Sequence, residues 1–186
     1  MTLLLTFQLI AAVWGVAEIR LALVRRDPSR GRDRGSMILL FSTIGGSLLV
    51  AQIVAFRQLA PILPAARQAL LLGLALLVAG ILLRWIAIVS LGRFFTMNVA
   101  VQKEHRVVRH GLYRWVRHPS YTGMLVAFCG IAIALNDWLS LALLLVPITG
   151  ALLYRIRVEE RALLDTLGDE YRDYCGSTAR LIPFVF

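Results

Sequence analysis

What most constrains this chain is a series of long apolar runs separated by short polar segments. Residues 3–24, 37–56 and 69–91 are each close to the roughly 20 apolar residues that cross a bilayer, and two shorter runs, 121–135 and 139–154, flank Asn136-Asp137. Of the 186 residues, 59% are hydrophobic and 17% charged, an apolar share well above that of soluble domains. Lipid cannot hydrogen-bond a peptide group, so each run has to close its own backbone bonds as a helix. The expected fold is all-α and integral to the membrane, with five transmembrane helices and a helical hairpin turning at Asn136-Asp137. A polar connector covers residues 92–119. A polar stretch over 155–175, with helix-like apolar spacing at Val158, Leu163, Leu164 and Leu167, lies outside the bilayer or continues the fifth helix. Pro61 and Pro64 prevent a continuous helix between the second and third runs.

Charge gives the topology. Sixteen basic residues fall in the first loop, the connector and the tail, against only Arg57 and Arg67 on the opposite side. That bias puts the N-terminus outside and the C-terminus in the cytoplasm, so the connector and the tail share a face. The first run lacks a basic leader and a small-residue cleavage site, and is expected to remain as a span. The net charge of +9 rests on nineteen arginines and one lysine placed beside apolar runs. We read it as topology and headgroup contact, with no nucleic acid as partner. Cys129 and Cys175 have no metal or redox spacing, and His105, His110 and His118 are too irregular for a helical metal face, so no metal is expected. The absence of an internal repeat weighs against a transporter. Glu18 and Arg84 each lie about two turns from the same end of their helices, so they could neutralise each other; a structural pair is one hypothesis, and snorkelling to the interface or a functional intramembrane charge are the others, between which the sequence does not choose.

The densest chemistry lies in GLYRWVRHPSYTG, residues 111–123, where arginines, aromatics and a proline sit between two apolar runs. Pro119 suits the first turn of the fourth helix. Tyr113, Trp115 and Tyr121 also read as interface anchors. In the tail, Arg155 and Glu159 are four residues apart and share a helix face, while Glu160 points about 100° away. A carboxylate there can take ribose hydroxyls or an ammonium, and an arginine one turn nearer the bilayer can hold a carboxylate or phosphate. An ordinary surface ion pair is the plain alternative. No Gly-rich nucleotide loop, phosphate-loop lysine or paired-histidine helix occurs.

Taken with RIRVEERALLDTLGDEYRDYCGSTARLIP, residues 155–183, the connector resembles the isoprenylcysteine carboxyl methyltransferase family and, more loosely, the membrane phospholipid methyltransferases. The resemblance covers roughly residues 83–183, and the pairing of RHPSYTG with a downstream EE and GDEY carries it; Gly111-Leu112 stands where many relatives have Gly-Pro. It implies S-adenosylmethionine as cofactor, held by connector and tail. The implied cofactor positions are Gln102, His105, Arg106, Val107, Val108, Tyr113, His118, Pro119, Ser120, Tyr121 and Glu159, with Arg155 orienting the substrate. Residues 1–186 then form a single membrane domain, three spans in 1–91 and the catalytic part in 92–186. The implied reaction is methyl transfer to a lipid-like or prenylated acceptor entering from the bilayer. A carboxylate acceptor needs no base, and the sequence offers no clear one, which favours carboxyl O-methylation over phospholipid N-methylation or small-thiol S-methylation. A non-catalytic scaffold or a transporter is the reading from a different class. The expected location is the inner membrane of a prokaryote or the endoplasmic reticulum of a eukaryote.

Overall fold

The computed structural model describes residues 2–24, 34–57, 60–95 and 107–183. Its helices are α1 (Thr2–Val24), α2 (Arg34–Ala55), α3 (Ala66–Leu91), α4 (Pro119–Ala134), α5 (Trp138–Leu167) and α6 (Asp169–Ser177), with short 3-10 turns at Gly92–Phe94 and Gly111–Arg114. Four of these, α1, α2, α3 and α5, are long and apolar enough to cross a membrane. At 16 residues, or roughly 24 Å, α4 is shorter than a typical hydrocarbon core and packs along α3. The five-helix layout expected from the apolar runs therefore comprises four full-length helices and one short one. Large apolar side chains such as Val13, Leu49, Ile53 and Val89 face outward, which is stable only in an apolar surrounding.

The tail stretch continues α5 as far as Leu167, giving a helix of 30 residues, roughly 45 Å, that outruns the hydrocarbon and carries Arg155 to Glu160 toward its surface. It stops at Gly168, whose φ of 56° no ordinary L-residue adopts cheaply, and α6 starts afresh. At the opposite end, Asn136 (φ 53°) makes the α4–α5 turn. The Asn136 side chain accepts from Leu63 N at 2.9 Å and donates to Leu63 O at 3.1 Å. Asp137 caps α5 by accepting from Ser140 N at 2.8 Å, and its second oxygen accepts from Ala60 N at 2.9 Å. The α2–α3 link and the α4–α5 hairpin are thus pinned together at one end. It follows that the end of α3, the start of α4 and the end of α5 gather at the other.

α3 and α4 are antiparallel and approach to backbone contact. A Cβ on Gly123 would lie 2.5 Å from Arg84 N, and one on Gly130 would lie 2.5 Å from Leu77 N; Gly73 and Gly80 are equally closed in from the other side. With lipid outside, such small-residue contact replaces the hydrophobic effect as the force that joins helices. The close approach also sets a polar pair deep between α1 and α3. Arg84, 1% exposed, donates through Nε and Nη2 to the two oxygens of Glu18 at 2.5 Å, and Trp14 Nε1 donates to Glu18 at 3.0 Å. The Glu18–Arg84 pair is thus formed. Arg84 Nη1 goes further and donates to Ser120 Oγ at 2.7 Å, tying the pair to the first turn of α4.

Two outcomes follow for the purified protein in detergent. Gly80→Leu or Gly123→Leu should lower stability by about 1–3 kcal/mol or more through overpacking, whereas Gly150→Leu, where nothing lies within 4 Å, should change it little. Glu18→Ala leaves a buried guanidinium without its carboxylate and should cost about 3–5 kcal/mol, while the exchange of both charges (E18R with R84E) should recover part of that loss. Thermal unfolding reads both; a double exchange no better than its worse single would refute the pair's structural role.

Candidate active site

The site is built where the chain leaves the connector and enters α4. Residues 115–118 run alongside 179–180, with Val116 and Ala179 forming an isolated parallel bridge. Arg117 N donates to Ala179 O at 2.8 Å, Ala179 N to Trp115 O at 3.1 Å and His118 N to Arg180 O at 3.1 Å. Thr122 Oγ1 adds a bond to Leu181 O at 2.7 Å. These bonds satisfy backbone groups that precede the first helical turn, and they fasten the tail to the connector.

α5 supplies two adjacent carboxylates with different tasks. Glu160, 8% exposed, receives Arg117 Nε at 3.1 Å, Arg180 Nη2 at 3.0 Å and His118 Nε2 at 3.2 Å. Arg117 Nη1 also donates to the Cys175 carbonyl at 2.8 Å and to the Thr178 carbonyl. Glu159, half-buried on the neighbouring face, accepts from the Tyr121 hydroxyl at 2.8 Å. The same hydroxyl accepts from Arg155 Nε at 3.0 Å, and Arg155 Nη1 reaches Ser36 Oγ on α2 at 3.1 Å. The His118 and Tyr121 rings stack at 5.7 Å, so the two carboxylate systems adjoin.

The sequence-predicted positions divide into two sets. Arg155 and Glu159 meet at the Tyr121 hydroxyl, and His118 stacks on the Tyr121 ring while its Nε2 bonds Glu160. The other described positions lie outside that group. Ser120 Oγ accepts from Arg84, the Tyr113 hydroxyl donates to Ala87 O at 3.3 Å, and Pro119 is buried as the first residue of α4. Val107 and Val108 are half-buried, and Val107 N donates to Glu170 Oε1 at 3.4 Å. Gln102, His105 and Arg106 lie outside the described residues. Arg117, Glu160, Arg180 and Ser36 were not picked out by sequence. The EE pair and the arginine before His118 are visible there, but which glutamate faces inward depends on how α5 is rotated, and Ser36 is too remote in the chain to be connected with Arg155.

Burial pushes the Tyr174 phenol up to about 12, and the Tyr113 and Tyr171 phenols upward as well. They stay protonated and act as donors, as Tyr174 does to the Tyr113 carbonyl at 2.6 Å. Burial also raises the Cys175 thiol, which leaves little thiolate at neutral pH. Replacing Glu160 with Ala should cost about 3–5 kcal/mol, since it takes the carboxylate from the largely buried Arg117 and from the half-buried Arg180, whereas Tyr121→Phe, losing one hydroxyl between Arg155 and Glu159, should cost about 1 kcal/mol. Comparison of melting temperatures tests this, and equal losses would contradict the division of labour between the two carboxylates.

Residues 71–165 match the model of the isoprenylcysteine carboxyl methyltransferase (ICMT) family. The chain is 35% identical over 115 residues to protein-S-isoprenylcysteine O-methyltransferase A of Arabidopsis thaliana, covering 61% of this chain and 58% of that protein. It is 35% identical over 116 residues to the protein-S-isoprenylcysteine O-methyltransferase of Saccharomyces cerevisiae, covering 61% and 48%. A shorter match, 43% over 75 residues, is to methanethiol S-methyltransferase of Mycobacterium tuberculosis, covering 40% of this chain and 30% of that protein. The aligned part thus spans less than two thirds of each of these relatives. The solved structure of the eukaryotic intramembrane Ras methyltransferase ICMT superposes on 98% of this chain and 67% of that one, with a TM-score of 0.68 and 24% identity, which shows a shared fold. By the match of its family model over half its length, the chain belongs to the isoprenylcysteine carboxyl methyltransferase family.

Proposed function

We propose that this protein is an S-adenosylmethionine-dependent methyltransferase that modifies the carboxylate of a lipid-like or prenylated acceptor. The observation that carries the reading is the Tyr121 hydroxyl, which joins the carboxylate suited to the donor, Glu159, to the arginine suited to the acceptor, Arg155. The residues fit such a donor. Glu159 is a half-buried carboxylate beside aromatic rings, able to accept from ribose hydroxyls or an ammonium. His118 and Tyr121 offer stacked rings, and the family resemblance adds Gln102, His105, Arg106, Val107, Val108, Tyr113, Pro119 and Ser120 as further proposed cofactor positions.

When bound, S-adenosylmethionine supplies a methyl group already activated on a sulfonium, so a carboxylate acceptor requires no general base. The protein's work is then alignment and the exclusion of water. Arg155 is 4% exposed and held by Tyr121 and Ser36, so its guanidinium points in a fixed direction without a change of protonation. Glu160 fixes His118 and thereby the entry to α4. The orientation that follows from the basic residues puts connector and tail in the cytoplasm, where a water-soluble donor meets an acceptor arriving from lipid.

The likeness to methanethiol S-methyltransferase favours a second reading, transfer to a small thiol. Transfer from labelled donor in membrane extracts separates the two, because a methyl ester is released by base and a thioether is not. Glu159→Ala should weaken S-adenosylmethionine binding about 10- to 100-fold by calorimetric titration, the loss of charge-assisted hydrogen bonds, and Arg155→Ala should spare binding while lowering turnover at least about 100-fold. Unchanged affinity in the first variant, or parallel loss of binding and turnover in the second, would reassign these residues.

A further inference from the structure

Two adjoining cavities lie on the outer side of the strap formed by connector and tail, and they share Trp115 and Pro183. The first, about 510 Å³, is lined by Arg114, Arg117, Arg180 and the segment 175–179, and among the described residues no acidic side chain lines it. Two of these arginines, Arg117 and Arg180, share the Glu160 carboxylate with His118. Arg114 is exposed and lies over the Trp115 ring at 4.6 Å. This cavity therefore has an excess of positive charge. The second, about 290 Å³, is walled by Leu83, Leu112, Val116, Pro119, Thr122 and Leu181. Its one hydroxyl, on Thr122, is turned to the Leu181 carbonyl, so the slot offers a chain nothing but apolar surface. Trp115, 48% exposed, stands at the boundary.

A cationic cleft continuous with an apolar slot, with a tryptophan between them, matches an amphiphile and not a free anion. We propose that these two cavities together bind one anionic phospholipid, with its phosphate headgroup among Arg114, Arg117 and Arg180 and one acyl chain in the slot between α3, α4 and the tail. Net negative charge is required because the charged residues among the described lining are all arginine; a choline or ethanolamine head would bring a cation into the same cleft. Two of the arginines that would face the lipid also hold Glu160, and Glu160 holds His118. Occupancy therefore tightens the joint between tail and connector. The lipid site is separate from the Tyr121, Glu159 and Arg155 group and does not depend on which acceptor is methylated.

The test uses the full chain in detergent, titrated with phosphatidylglycerol, with phosphatidylcholine of the same acyl chains, and with glycerol 3-phosphate as the headgroup alone. Phosphatidylglycerol should raise Tm by about 3 °C or more and the other two by less than a third of that. Native mass spectrometry should retain one phosphatidylglycerol per chain. Arg114→Glu should abolish the preference for phosphatidylglycerol, and Leu112→Trp, which fills the slot, should reduce the shift at least about threefold. Each variant is read as its shift between the two lipids, so an altered starting Tm does not obscure the result. Equal shifts with both lipids, the full shift with glycerol 3-phosphate alone, or a preference that survives Arg114→Glu would each overturn the proposal.

Discussion

A carboxylate removed from water needs partners that stay in place, and Glu160 finds three on two segments far apart in the chain. Arg117 and His118 come from the connector and Arg180 from the tail, while Glu160 itself projects from α5. None of these segments is regular enough to position itself. Among the described residues the connector has short 3-10 turns at Gly92–Phe94 and Gly111–Arg114, and the tail beyond α6 forms an isolated bridge. The shared carboxylate joins these two irregular segments to α5 as one closed unit, and the backbone bonds between 115–118 and 179–180 complete it.

This unit is anchored from below. α3 and α4 meet without intervening side chains at Gly73, Gly80, Gly123 and Gly130, which allows Arg84 to reach both Glu18 on α1 and Ser120 on α4. The ion pair is thus structural and also a tether for the residues that flank His118. The two glutamates of α5 separate by rotation alone: consecutive helical positions lie about 100° apart, so Glu160 turns toward the strap and Glu159 toward Tyr121. One carboxylate is consumed in holding the frame, and the other remains half-buried where a donor molecule can meet it.

The family relation and the geometry support each other through the same residues. The matched region, residues 71–165, contains α3, α4 and nearly all of α5, the helices that carry Arg84, Tyr121, Arg155, Glu159 and Glu160. The strap of residues 169–183 closes on it from outside that region, with Arg180 as its ionic contact and Leu181 as its apolar one.

Much of this was legible in the order of residues. Apolar runs of bilayer length fixed the helices, Pro61 and Pro64 the break before α3, and Asn136-Asp137 the hairpin, because each is a local consequence of hydropathy or backbone geometry; the similar depth of Glu18 and Arg84 allowed a pair, which the packing of α1 on α3 decided. The motif positions His118 and Tyr121 were also visible through the family resemblance, and Arg155 and Glu159 through that resemblance and their spacing of four. Sequence did not decide which glutamate would be buried, that Ser120 and Tyr113 would be spent on the frame, or that Ser36 would steady Arg155. Those outcomes depend on the rotation of α5 and on a helix contact close enough to exclude side chains, and both are settled only when the elements pack, since hydrogen-bond partners separated by 36 to 119 positions leave no periodic trace along the chain.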